Sequence, residues 1–336
     1  MPVGCANHQA AIIDRDGAIV ARAEVLLQVQ WARVLDDSST ASVLVQPEGG
    51  DCCAQFGRVR AWRHKLAIWR DGRPCWEGPI VSPEWNADGT ILIQAADILA
   101  WLDRRVPHDT IRFTAEDLAN IAAWLIKDGF APDDPGHDVE IVAPTRIKGD
   151  REYTVDVGQT GDHLRDLAET GLDFTAVGSR ILLLPEDHSD RVGSLTDQDF
   201  PDGLVIVEDG AALATRWVVH GADGVKGEAG GVDPYYGLLE QVADESSILD
   251  ESSATQAARS RLRAATPAPV IIDSQETTLS PAAPVDVPSL VPGWCLDVTT
   301  TATCRNISQS LKIIGVKVSE TASGEQVSVQ LTPVGV

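Results

Sequence analysis

Residues 62–81 read Trp-Arg-His-Lys-Leu-Ala-Ile-Trp-Arg-Asp-Gly-Arg-Pro-Cys-Trp-Glu-Gly-Pro-Ile-Val. The Asp71-Gly72 pair is a hairpin signal, because a two-residue turn needs positive φ, which glycine adopts without a steric penalty. It predicts one strand over residues 59–69 and a returning strand through Trp76 to Ile80 and Val81. Trp69 falls on the parity opposite Leu66 and Ile68, so both faces of the first strand carry large apolar groups. Something beyond a one-sided sheet must cover one of them. Trp69, with Trp85 and Trp31, is therefore the candidate subunit interface, against the plainer alternative of a second packing layer within the chain.

The pattern extends outward on both sides. Val25, Leu27, Val29 and Trp31 share one parity, residues 41–45 repeat it, and the Asp88-Gly89 turn leads into Ile91, Leu92 and Ile93. Five or six short strands with turns between them predict a small antiparallel barrel or sandwich over about residues 8–105, closed by a short helix over 97–105. The period then changes. Thr114 can cap a helix with apolar Leu118, Ile121, Ala122 and Leu125 and with Gly129 as its C′ stop. A second helix is expected over 161–170, and a tight hairpin at Gly178-Ser179 joins strands 172–177 and 180–184. Strands at 204–207 and 211–219 flank Asp209-Gly210 as another hairpin, followed by a glycine-rich loop over 221–231. Ser253 and Gln256 form a capping-box pattern at the head of a small-residue helix that stops at Pro267. Val327, Val329 and Leu331 alternate with polar neighbours in the last strand, so a second barrel is expected to close at the C-terminus. The fold class is mainly β with α+β insertions: two small antiparallel β-barrels flanking an α+β unit. The expected domains are 1–108 (barrel), 109–200 (α+β insertion), 201–265 (hairpin, loop and helix) and 266–336 (barrel).

Composition removes several function classes. The 336 residues carry 27 basic and 50 acidic side chains, a formal charge of −23. Nucleic-acid binders gain affinity by neutralising phosphates with clustered Lys and Arg, and no cluster of that kind stands out, so specific nucleic-acid binding is not expected. The apolar runs are far shorter than the roughly 20 residues of a membrane helix, and the N-terminal residues do not read as a secretory signal. A membrane span is not expected, and assembly in a cytoplasm is. Six cysteines (Cys5, Cys52, Cys53, Cys75, Cys295, Cys304) lack disulfide-scaffold density and CxxC spacing, and read as reduced thiols packed in cores.

Catalytic patterns are missing. GxSxG, HExxH, P-loop and post-strand GxGxxG motifs do not occur. His163 and Asp166, three apart on the second helix, could serve a base or a metal, but a surface i,i+3 pair explains them better. His108-Asp109, His137-Asp138 and Asp187-His188 read as solvated loop residues. The acidic stretch 132–138 lacks the EF-hand pattern. No enzyme activity, metal or cofactor is expected.

Three stretches share an order with a known family: W-x-x-K-L-x-I-x-R-D-G (Trp62 to Gly72), W-E-G-P-I (Trp76 to Ile80) and A-A-D-I-L-A-W-L-D-R-R (Ala95 to Arg105). Later come E-T-G-L-D-F (Glu169 to Phe174), D-G-x-x-L-A-T-R (Asp209 to Arg216) and V-P-G-W (Val291 to Trp294). Together they resemble the Gp37-like minor tail proteins of long-tailed actinobacterial phages, which serve as baseplate or tail-tip hub. The resemblance implies a hub fold related to those of contractile machines, assembling as a homotrimer. Its partners would be the distal tail protein, the tape-measure protein and other tip or fibre proteins, at the distal end of the virion tail. Two further readings compete with a structural hub: a carbohydrate- or receptor-binding tip module using surface tryptophans such as Trp69 or Trp85, and a cell-wall hydrolase. In a trimer the charge triples to about −69, a field that would repel DNA passing through the lumen.

Overall fold

The computed structural model describes residues 7–23, 26–47, 49–203, 206–208, 210–211, 213–266, 270–272, 277–301, 304 and 306–334. Expectations that touch Cys5, Val25, Leu204, Val205, Asp209 and Pro267 lie outside them. The chain opens with β1 (His8–Ile13), β2 (Ile19–Ala23), β3 (Leu26–Val34), β4 (Thr40–Val45), α1 (Gly49–Phe56), β5 (Lys65–Arg70), β6 (Arg73–Trp85) and β7 (Ile91–Ala96). A 3-10 helix (Ile98–Arg104) leads to β8 (Ile111–Asp117), α2 (Leu118–Phe130), β9 (Asp138–Ile141), β10 (Lys148–Tyr153), α3 (Thr160–Ala168), β11 (Leu172–Val177) and β12 (Arg180–Pro185). Next are β13 (Arg191–Thr196), β14 (Ile206–Glu208), β15 (Arg216–His220), β16 (Lys226–Gly230), β17 (Glu240–Asp244) and α4 (Glu251–Ala265). The last strands are β18 (Val270–Ile272), β19 (Thr277–Thr278), β20 (Cys295–Thr300), β21 (Ile307–Thr321) and β22 (Gly324–Pro333).

The Asp71-Gly72 hairpin is present, with φ of 51° and 73°, but the strand before it is shorter than the pattern predicts. Residues 61–63 form a turn and pairing begins at Lys65. β6 then does two jobs, pairing with β5 as far as Pro79 and with β7 from Ile80 onward. At the crossover only glycine fits, because a Cβ on Gly78 would sit 1.9 Å from the Ala96 carbonyl oxygen.

Where alternation predicts two barrels, the structure has one shared sheet. β3, near the N-terminus, pairs antiparallel with β21, near the C-terminus, from Gly315↔Val34 to Glu320↔Val29. The twelve-stranded sheet runs β13-β20-β21-β3-β4-β7-β6-β5-β1-β2, with β22 on the other edge of β21 and β19 on β22. Among the described residues no sheet closes on itself, and the two separate barrels are not seen. The physical reason is in the core. Trp31, Phe56, Leu66, Ile80 and Ile93 pack in one apolar cluster with Leu296, Leu311, Val318 and Val327, so neither chain end has a core of its own.

Buried polar contacts tie the two ends together. Arg70 on β5 meets Glu325 on β22 bidentately, Nε to Oε1 at 2.7 Å and Nη2 to Oε2 at 2.8 Å, both side chains about 1% exposed. Arg33 on β3 donates from Nη1 to the Pro288 and Leu290 carbonyls and from Nη2 to that of Cys75. Burial lowers its pKa to about 10, which leaves it charged at neutral pH.

A second core fills the α+β unit, where Leu102, Leu118, Ile121, Leu125 and Phe130 meet Leu164, Leu167, Phe174 and Ile181. The apolar stripe of α2 is buried as its spacing predicts, but its cap is Asp117, whose carboxylate accepts from Ala119 N at 2.9 Å. Thr114 lies in β8, and Gly129 lies within the helix, close against Leu102 and Thr160. The unit is clamped to the sheet by Asp36. Its amide donates to the Phe174 carbonyl and its carboxylate accepts from Phe174 N, while Lys312 Nζ bonds Asp173 at 2.6 Å.

The third part departs most from expectation. β14 pairs with β18, not with β15, and the glycine-rich stretch contains β16; β15 is flanked by antiparallel β16 and parallel β17. α4 begins at Asp250 rather than Ser253, since Asp250 Oδ1 accepts from Ser253 N. Its small residues have a purpose: the backbone of Ala254 and Thr255 comes so near Gly227 on β16 that a Cβ there would lie 2.1 Å away. Cys75 and Cys295 are buried, whereas Cys53 and Cys304 are exposed.

Replacing Arg70 by Met leaves the Glu325 carboxylate in the core without its guanidinium, and should cost about 3–5 kcal/mol of folding stability. Replacing both partners by apolar residues should recover most of that loss. Chemical denaturation of the two variants checks the difference.

Candidate assembly surface

Trp31 is fully buried (0% exposed). Its Nε1 donates to His8 Nε2 at 3.2 Å, so His8 carries its proton on Nδ1, which lies 2.5 Å from Glu320 Oε2. All of its surface is used within the chain, which removes it from the candidate interface: alternation along β3 points it inward, and its indole N–H finds a partner there. The same strand explains Leu27. A bulge between Leu26 and Gln28 turns Leu27 out to solvent.

Trp69 is half-buried. Its outward-facing neighbours Ala11 and Ala67 are buried, and Lys65 pairs with Glu77 at 2.5 Å. Over the Lys65 end lie Pro135, Gly178 and Ser179 of the α+β unit, leaving a gap of about 10 Å³. There the second layer belongs to the chain itself. Trp85, at the end of β6, is 49% exposed, and its Nε1 donates to the carbonyl of buried Phe56 at 3.3 Å.

A surface that the strand pattern did not single out surrounds Trp62. This residue has φ of +61°, an outlier for a bulky side chain. Its neighbours over-determine it: Trp62 N donates to the Ile80 carbonyl, Ile80 N to that of His64, and Arg60 N to His64 Nδ1. The Arg104 guanidinium lies 4.3 Å over the indole, and Trp101 meets it edge-on at 5.0 Å. Trp62, Val81, Ala100, Asp103, Arg104 and Gln159 line an open concavity of about 590 Å³. Arg58, Arg60 and Arg63 are exposed on the adjoining turn. The signal was in the sequence, since residues 58–65 hold four Lys or Arg and no acid in a chain of net charge −23.

The 3-10 helix that carries Arg104 is set by Asp97. One carboxylate oxygen accepts from Ser39 N and Oγ, both at 2.6 Å, and the other from Leu99 N at 3.0 Å. Burial nevertheless raises the Asp97 pKa to about 6, outweighing those hydrogen bonds.

A contrasting surface lies on the β15 sheet. The loop before β17 and β17 itself expose Val232 (75%), Tyr235 (87%), Leu238, Leu239 and Val242 (60%). Asp233 Oδ1 accepts from Tyr235 N and Tyr236 N, and Leu239 bonds to Thr215 at the base, so this tongue has a defined shape. On the side away from β15, β17 has no partner strand among the described residues.

The remaining sequence candidates stay apart from one another. His163 Nε2 is 3.0 Å from the Val157 carbonyl, and its Nδ1 is 4.0 Å from Asp166. In the acidic loop Asp133 pairs with Arg15 and Arg105, while Asp134 accepts from Gly136 N and His137 N. Those carboxylates are satisfied by protein donors. Among the described residues no group of three or more His, Cys, Asp or Glu is placed to hold a metal ion, and no helix is long and apolar enough to cross a membrane.

No protein-family model matches the sequence, and no curated protein matches it. Solved structures do match. The 43 kDa tail protein of prophage MuSo2 from Shewanella oneidensis is similar with a TM-score of 0.67 at 12% identity, over 98% of this chain and 99% of that one. A tail protein from Neisseria meningitidis MC58 is similar with a TM-score of 0.67 at 12% identity, over 98% of both chains. Prophage tail protein gp18 from Listeria monocytogenes EGD-e is similar with a TM-score of 0.63 at 12% identity, over 96% of this chain and 94% of that one. The chain has the fold of these phage tail proteins over nearly its whole length.

Folded Asp97 holds its proton more tightly than the unfolded chain does, so between about pH 4 and 6 the folded state binds more protons and stability falls as pH rises. This group should contribute a decline of order 1–3 kcal/mol across that window. In Asp97→Asn that part of the slope should vanish, whatever the variant's absolute stability, as read by denaturation at a series of pH values.

Proposed function

We propose that the chain is a structural subunit of a phage tail tip. It acts as a homotrimeric baseplate hub that joins the sixfold tail tube and the distal tail protein to the tape-measure protein and further tip proteins, and it opens to let DNA pass. The observation that carries this reading is the fold likeness to tail proteins over 98% of this chain and 98–99% of theirs. It extends over both chain ends and everything between them, not over one module. The motif resemblance to Gp37-like hub proteins supports the position at the tip.

In this reading residues 1–108 and 266–336 form the body of the ring, and residues 109–200 and 201–265 are carried on it. The role is mechanical, and any wall-degrading activity at the tip belongs to another subunit. With three copies the formal charge is about −69, and the share of it on the lumen wall keeps DNA from adhering.

Light scattering on the purified chain should give about three times 35.9 kDa, and cryo-EM of the particle should place a threefold ring of this chain at the distal end of the tail. A chain that stays monomeric, occupies no such ring and binds host-wall glycans would overturn the hub and favour a receptor-binding module.

A further inference from the structure

The Trp62 shelf and the β17 tongue differ in every property that matters for docking. The shelf is concave, and its lining carries Asp103, which is paired with Arg165, and Arg104, which is stacked on Trp62; Arg58 and Arg60 are exposed on the adjoining turn, where Arg63 pairs with Asp14. Trp and Arg are the residues that most often dominate binding energy. The tongue projects, is apolar at Val232, Tyr235, Leu238 and Val242, and carries acid at Asp233, Glu240 and Asp244. A cluster of exposed apolar side chains of this kind marks an interaction site more often than chance exposure. Both surfaces are pre-shaped, the shelf by the pinned backbone of Trp62 and the tongue by the Asp233 turn and its Thr215 anchor. That lowers the ordering cost of association.

We infer that the shelf of one copy receives the tongue of the next, so that the chain assembles head to tail through two different surfaces. The occupant is a second copy because the complementarity is internal to the sequence. Within the chain Arg63 pairs with Asp14, Lys65 with Glu77 and, on the tongue, Glu240 with Arg216; Arg58, Arg60 and Arg104 on the shelf and Asp233 and Asp244 on the tongue supply the opposite charges in a chain of −23. A contact between unlike surfaces is heterologous, and it repeats until the ring closes. The inference rests on the homotrimer proposed above and says which surfaces close it.

Two exposed substitutions test it, Arg104→Glu on the shelf and Val242→Glu on the tongue. In light scattering at micromolar concentration, the wild type should have the mass of three subunits and each variant the mass of one. Mixing the two variants should give the mass of two, because one intact tongue meets one intact shelf and the ring cannot close. This recovery also shows that both variants are folded. If both variants remain trimers, the pairing is wrong although the homotrimer stands. If both are monomers and the mixture gives no dimer, shelf and tongue do not pair with each other and the inference is overturned. If the wild type is itself a monomer and no threefold ring of it is found in the particle, the inference falls together with the hub.

Discussion

Arg70 and Glu325 stand 255 residues apart in the chain and meet bidentately, with almost no water at either group. A buried guanidinium or carboxylate that loses its partner leaves an uncompensated charge, a penalty of several kcal/mol. Sliding β5 or β22 by one residue would move its charge to the opposite face of the sheet, so the pair accepts one register. Arg33 adds a second constraint, since its three carbonyl acceptors come from residues 75, 288 and 290. His8, held between Trp31 and Glu320, adds a third. The first and last strands are bound into one sheet by groups that tolerate few alternatives.

What the long middle of the chain presents to its surroundings follows from that sheet. The α+β unit is fastened through Asp36, Asp173 and Lys312, three charged groups at the junction with β21. Burial and the neighbouring Asp173 push the Asp36 carboxyl well above the usual range, and burial raises Asp173 against the pull of Lys312. Lys312 bonds Asp173 directly, and its charge also draws the Asp36 carboxyl down against burial. From the other side of the unit, Ser253 on α4 reaches the Lys148 carbonyl and Arg261 pairs with Glu169, which seats the β15 sheet and its tongue. The Trp62 shelf is fixed separately, by the return of β6 and by the Asp97 cap. A body tied to itself in this way holds the Trp62 shelf and the β17 tongue at defined places on one frame.

Local features were legible wherever the cause is local. Asp71-Gly72, the Gly178-Ser179 hairpin, the 3.6-residue stripe of α2 and the alternation in β22 all appear as read, because turn chemistry and side-chain period act within a few residues. Caps were misplaced by three residues at both α2 and α4. In each case an Asp three residues away is the cap: Asp117 accepts from Ala119 N, and Asp250 accepts from the amide of Ser253 itself, which places Ser253 inside the first turn. The interface candidates divided by burial: Trp31 went inside, Trp69 is half-buried on a face whose Lys65 end is covered by the α+β unit, and Trp85 stayed half-exposed. Trp62 escaped notice because nothing in the alternation marks a tryptophan in a left-handed turn.

The sequence by itself determined the β-rich character, the positions of most turns and helical faces, and the strong negative charge, since these depend on composition and near-neighbour geometry. Only the tertiary structure decided that the two end segments form one sheet rather than two barrels, that β14 pairs with β18, and that Arg104 lies over Trp62. Strand partners far apart in the chain are selected by which apolar faces and buried charges satisfy one another in space. Short periodic segments are equally consistent with several partners, and the choice among them is made by the shared core and by the ion pairs sealed within it.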